Sequence, residues 1–125
     1  MNPKLLVLDD QVQYGRALDR ALRREYELVS AASQTEAQQK LSPDISCVLA
    51  DVRLNESNPN DRQGLEFVSW ARAQRPHLPI ISMSALEDAS LETDALKAGA
   101  TTFLQKPIVI SQLKSILEEL LGRKA

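Results

Sequence analysis

A chain of 125 residues with 43% hydrophobic and 26% charged residues has room for one compact domain with its own core and too little for two ordinary ones. Its net charge of -2 supplies no basic footprint for a nucleic-acid backbone, and no apolar run approaches membrane-spanning length, so direct nucleic-acid binding and membrane insertion by this chain are not expected. The single cysteine, Cys47, cannot form an internal disulfide and lies in an apolar stretch as a small hydrophobe; no signal-peptide pattern follows Met1, and a reduced, cytoplasmic setting is the expectation.

Leu5 to Leu8 predicts a buried strand that runs straight into Asp9 and Asp10. Val12, Leu18 and Leu22, with Tyr14 or Ala21, then recur at helical spacing through about Glu25, and Arg16, Asp19, Arg20, Arg23 and Arg24 take the other, solvated face. Gly15 costs that helix about 1 kcal/mol relative to alanine, a sign that packing wants a small residue there. Tyr26 to Ala31 predicts a second strand, and Thr35 to Leu41 a second helix stopped by Ser42-Pro43. Ile45 to Asp51 is an apolar run of strand-forming residues that ends on a carboxylate. Arg53 to Gln63 is polar and loop-like in composition.

Leu65 to Arg75 predicts a third helix that ends before Pro76, with Trp70 closing it over the core beside Phe67 and Val68. His77, the only histidine, falls in the loop before a fourth strand, Pro79 to Ser84, and so belongs to the opposite end of the sheet from the strand-end carboxylates. Glu87 to Ala98 predicts a fourth helix carrying Leu91, Ala95 and Leu96, closed by Gly99. Thr101 to Gln105 is a fifth strand ending at Lys106-Pro107, and Ser111 to Leu121 a last helix with Leu113, Ile116, Leu117 and Leu120 on one face. Residues 1–125 thus form a single domain, with 122–125 as a tail or the start of a linker.

Strands that alternate with helices imply a parallel sheet covered on both faces, because right-handed crossovers place a helix after each strand. All carboxyl ends of such strands share one edge, where ligands bind near a switch in strand order. Asp9 and Asp10, Asp51, Ser84 and Lys106 would therefore converge on one crevice. A carboxylate there is costly to desolvate unless it meets water, a cation or donors, and three together repel one another unless a cation sits among them. Hard oxygen ligands without histidine or cysteine favour magnesium. Lys106 adds an ammonium and Ser84 a hydroxyl, both suited to phosphoryl oxygens, and Asp51 can then serve as a carboxylate nucleophile.

In Leu-Val-Leu-Asp9-Asp10, Leu-Ala-Asp51-Val-Arg, Ile-Ser-Met-Ser84-Ala, Ala-Gly99-Ala100 and Phe103-Leu-Gln-Lys106-Pro107 the chain resembles the receiver domain of two-component response regulators over nearly its whole length. Each motif alone is weak; the ordered set is specific. The resemblance implies a flavodoxin-like α/β fold, a five-stranded parallel sheet of order 2-1-3-4-5. It implies transfer of a phosphoryl group to Asp51 from a partner histidine kinase or histidine phosphotransfer protein. It further implies Mg2+ held by Asp10, Asp51 and the backbone carbonyl of Arg53, with Asp9 assisting partly through water. Ser84 and Lys106 would grip the phosphoryl oxygens, Phe103 would be the aromatic switch, and the Lys106-Pro107 bond would be cis. Movement of Ser84 would let Phe103 turn and repack the face of the fourth helix, fifth strand and fifth helix for a downstream effector domain or protein, or for a phosphorylation-dependent homodimer.

Two departures stand out. Asn55 replaces the proline the family usually carries, and Gly64 comes about five residues late, which makes Asn55 to Arg62 an expanded loop on the rim of the site; it would either tune access or carry no role. Phe103 lacks the hydroxyl that a tyrosine would use to report its position. An adaptor that works without phosphorylation is a competing function. A phosphatase with an aspartyl-phosphate intermediate is another, but it commonly needs a second Asp two residues on, where this chain has Arg53. Arg53 itself either steers the phosphoryl group or points to solvent. No glycine-rich phosphate loop follows any strand, which argues against ATP as direct donor.

Overall fold

A computed structural model describes residues 2–55, 57–58 and 60–122. Of the expected tail or linker at 122–125, residues 123–125 lie outside the described residues. Five strands, β1 (Lys4–Leu8), β2 (Glu27–Ala31), β3 (Ile45–Asp51), β4 (Ile80–Ser84) and β5 (Thr102–Gln105), alternate with five helices, α1 (Val12–Leu22), α2 (Gln34–Lys40), α3 (Gln63–Gln74), α4 (Ala89–Ala98) and α5 (Ile110–Leu121). Every strand pair is parallel, in the order β2-β1-β3-β4-β5. The flavodoxin-like α/β fold expected from the sequence is the one observed.

The inner strands are largely apolar because both of their faces are covered. Leu6, Leu8, Val48, Ala50 and Ile80 point to one side, where they pack with Ala37 of α2, Phe67, Val68 and Ala71 of α3 and Ala95 of α4. Leu5, Val7, Cys47, Leu49, Ile81 and Met83 point to the other, against Leu18 and Leu22 of α1 and Leu113 and Leu117 of α5. Period-two alternation along each strand thus feeds two cores, one per face. Among the described residues no helix is long and apolar enough to cross a membrane.

Several boundaries differ from the sequence expectation. α1 stops at Leu22 rather than near Glu25, because the backbone N–H of Tyr26 folds back to the Leu22 carbonyl at 2.9 Å and drives the Tyr26 ring into the α1/α5 core. Tyr26 therefore precedes the second strand instead of opening it. Val12 was expected on the buried face of α1, yet it is 56% exposed: it is the first helical residue, beyond the end of the strands that could cover it. Leu96 of α4 is likewise exposed. Trp70 is half-buried against the core, its ring centroid 5.8 Å from that of Phe67, and His77 is an exposed turn residue.

The amino edge of the sheet is fastened by two arginines the sequence did not single out. The Arg72 guanidinium donates to the carbonyls of Gly99, Arg75 and Pro76 at 3.0–3.1 Å, and Arg75 donates to the Ile45 carbonyl at 2.7 Å. Gly99 ends α4 with φ of 122°, and a Cβ there would lie 2.9 Å from the Arg72 side chain, so both conformation and space select glycine.

Candidate functional site

The carboxyl edge of β1, β3 and β5 brings together Asp9, Asp10, Asp51 and Lys106, residues separated by up to 97 positions in the chain. Asp9 follows β1, and its Oδ1 accepts the Gln11 N–H at 2.9 Å, so Asp9 is the carboxylate that turns the chain into α1. Asp51 closes β3 and sits opposite Met83; its Oδ1 accepts the Arg53 N–H at 3.3 Å. Lys106 directly follows β5 and is carried in by its own N–H, which donates to the Ser84 carbonyl at 2.8 Å. The Lys106-Pro107 bond is cis.

Lys106 Nζ bridges Asp9 Oδ2 at 2.7 Å and Asp51 Oδ2 at 2.9 Å, and all three side chains are at least nine-tenths buried. Its ammonium also lies 4.0 Å from the centroid of the Tyr14 ring, whose π face offers a further attraction to the cation. Burial works against the charge on Lys106, but the attraction of Asp51 and the hydrogen bonds to both carboxylates prevail and raise its pKa. Burial pushes the Asp51 carboxyl up to about 6, against the pull of Lys106 and with repulsion from Asp9.

Asp9, Asp10 and Asp51 each offer a carboxylate oxygen within 4.8 Å of the others. That donor set, all hard oxygen with neither histidine nor cysteine, fits a hard divalent cation. The cluster could hold a metal.

Ser84 is buried at the end of β4, and its Oγ accepts the Leu86 N–H at 3.0 Å, which leaves the hydroxyl proton to donate elsewhere. Phe103 lies opposite Ser82 in the β4/β5 pair and packs half-buried on the α2/α3/α4 side of the sheet. The hydroxyl of Ser82 is buried there with no hydrogen-bond partner among the described residues. The backbone N–H of Arg53 is engaged by Asp51, as above.

Three contributors escaped the sequence. The sequence marks Tyr14 only as a core residue of α1; the structure places it in the first turn of that helix with its ring against Lys106. Gly64 comes late in the sequence, and a close approach requires glycine there: its N–H donates to the Val52 carbonyl at 2.9 Å, and a Cβ would lie 1.6 Å from the Asp51 carbonyl oxygen. Asp61 sits in the long polar loop yet is 6% exposed; Oδ2 accepts the Leu54 N–H at 2.8 Å and Oδ1 the Gln63 N–H at 2.9 Å. An Asp two residues before a helix was the available signal. The insertion is thus taken up between Arg53 and Arg62, where Asn55 and Asn58 accept local N–H groups at 3.0–3.1 Å, and α3 still starts hard against β3.

Comparison with known proteins gives one consistent picture. A family model described as "Response regulator receiver domain" matches residues 5–118. The chemotaxis protein CheY homolog of Campylobacter jejuni is 31% identical over 125 residues, an alignment that takes in 95% of this chain and 92% of that protein. The transcriptional regulatory protein ZraR of Escherichia coli K12 is 30% identical over 97% of this chain, which spans only 27% of the length of that regulator. Among solved structures, a CheY-like receiver domain protein from Methanospirillum hungatei superposes with a TM-score of 0.85 at 23% identity, covering 98% of this chain and 95% of its own.

Proposed function

This chain belongs to the response regulator receiver family, and from that premise we propose that Asp51 accepts a phosphoryl group from a phosphohistidine on a partner histidine kinase or histidine phosphotransfer protein. The observation that carries the proposal is the shared ammonium: Lys106 Nζ, from the end of β5, touches buried carboxylates at the ends of β1 and β3 within a cluster of three whose third member, Asp10, is half-buried.

In the transfer an Asp51 carboxylate oxygen attacks phosphorus and the P–N bond to the donor ring breaks. The electron pair stays on the ring nitrogen, which takes a proton from water to leave as imidazole. Lys106 is already within reach of Asp51 Oδ2, so its ammonium meets the incoming phosphoryl oxygens without a long excursion. Ser84 donates the second hydrogen bond through its remaining proton. Magnesium, when bound, supplies the positive charge that lets carboxylates and phosphoryl oxygens share the site, with Asp10, Asp51 and the backbone carbonyl of Arg53 as ligands and Asp9 assisting.

Ser84 moving toward the phosphoryl group frees room for Phe103 to turn inward, which biases the α4-β5-α5 face between two packings. An effector domain or protein, or a second phosphorylated copy, reads that face. The domain occupies the chain as one unit, acts in the cytoplasm where its kinase presents the donor, and takes up one phosphoryl group per chain rather than turning over phosphate esters.

The test is incubation with a small-molecule phosphoramidate and intact-mass measurement. One phosphoryl increment should appear with magnesium, vanish on chelation and vanish in Asp51→Asn. Undiminished labelling of Asp51→Asn would overturn the assignment.

A further inference from the structure

We infer that Asp61 is a positioning residue for the cation site, acting through the Arg53–Leu54 peptide; the inference rests on the proposed function, in which the Arg53 carbonyl oxygen is a ligand. The Leu54 N–H and the Arg53 carbonyl are opposite ends of one planar peptide unit, and among the described residues only Lys106-Pro107 is cis. Fixing the direction of the N–H therefore fixes the carbonyl, which must point the other way. Asp61 Oδ2 holds that N–H at 2.8 Å in a buried, charge-assisted hydrogen bond. The peptide before it is held as well, by Asp51 Oδ1 on the Arg53 N–H. The second and third peptide units after the candidate phosphoacceptor are thus oriented by carboxylates, one from Asp51 itself and one from the far end of the expanded loop.

A helix cap alone does not account for Asp61. Capping α3 needs only Oδ1 on the Gln63 N–H, and a cap can stay in water, whereas this carboxylate is 6% exposed and spends its second oxygen on Leu54. The expanded loop lengthens the path between Asp51 and α3, so the carbonyl of Arg53 would otherwise have to be ordered when the cation arrives. Asp61 meets that ordering cost in advance.

Three variants separate the roles. Asp61→Ala removes both bonds; Asp61→Asn leaves one acceptor oxygen for two N–H groups; Asp61→Ser restores a cap for Gln63 but is too short to reach Leu54 as well. Magnesium chloride is titrated into each folded protein by calorimetry, and amide hydrogen exchange is followed at Leu54. The expected result is magnesium affinity about tenfold weaker in Asp61→Ala and Asp61→Ser, the loss typical of a group that orients a ligand, with faster exchange at Leu54. Unfolding midpoint should recover in Asp61→Ser while affinity does not. If Asp61→Ala fails to fold, Asp61→Ser and Asp61→Asn decide. Affinity within twofold of wild type in a folded variant that has lost Leu54 protection overturns the inference while leaving the cation site standing. Absence of any magnesium binding by wild type that Asp51→Asn abolishes would instead remove the cation site itself.

Discussion

Gly64→Ala sets two effects of opposite sign against each other. Alanine favours a helix interior by about 1 kcal/mol over glycine, so propensity alone predicts stabilisation. The structure predicts the reverse. A Cβ at this second residue of α3 would lie 1.6 Å from the Asp51 carbonyl oxygen, 2.6 Å from its carbon and 2.8 Å from Val52 Cα. All three are backbone atoms, so no side chain can rotate away. The start of α3 must retreat by about 1.5–2 Å, an overpacking cost near the upper end of about 1–3 kcal/mol. It also breaks the 2.9 Å bond from the Gly64 N–H to the Val52 carbonyl, worth about 1 kcal/mol. The net expectation is a loss of about 3 kcal/mol in urea unfolding, together with slower phosphoryl uptake because the retreat of α3 loosens its packing on the strand end that carries Asp51. Gly15→Ala is the control: there the Cβ meets only the Ser30 hydroxyl, at 3.3 Å, and the propensity gain should largely survive. A Gly64→Ala protein as stable as wild type would refute the steric argument.

The remaining expectations concern ionisation. Without metal the Asp51 carboxyl is raised to about 6, so it favours folding below its ordinary pKa near 4 and loses that contribution as pH rises through about 6. Asp51→Asn should therefore be more stable than metal-free wild type at pH 7.5, by about 1–3 kcal/mol, with the gap closing by pH 4; equal stability at both pH values would contradict it. Burial pushes the Cys47 thiol up to about 12. At pH 8 the thiolate fraction in the folded protein is then about one in ten thousand, so Cys47 should not react with a disulfide reagent until the protein is unfolded, when it should react fully.

What the sequence made legible follows from periodicity and from chain direction. β3 could be read because Ile45 to Ala50 is apolar on both faces and stops at Asp51, and the parallel order then placed Lys106 beside it without any distance information. Ser84 came to the same edge by the same logic. What stayed hidden depended on contacts between segments. Nothing local marks Tyr14 as a cover for Lys106, 92 positions away, because an aromatic at helical spacing looks the same whether it packs on a leucine or on an ammonium. Val12 and Tyr26 were misplaced because apolar character does not reveal where the sheet ends. Asp61 was lost in a polar loop, since hydrophilic composition predicts exposure and this carboxylate is buried by two backbone N–H groups.

Electroneutrality gives the Lys106 bridge one more meaning. In their fully ionised forms, the carboxylates of Asp9, Asp10 and Asp51 together with one ammonium leave a deficit of two positive charges at a site where Asp9 and Asp51 are buried and Asp10 is half-buried. One divalent ion cancels that deficit, while a monovalent ion leaves half of it standing. Valence selection is therefore written into the tally of groups rather than into any one of them, and Lys106→Ala would alter the tally by a whole charge without touching a ligand.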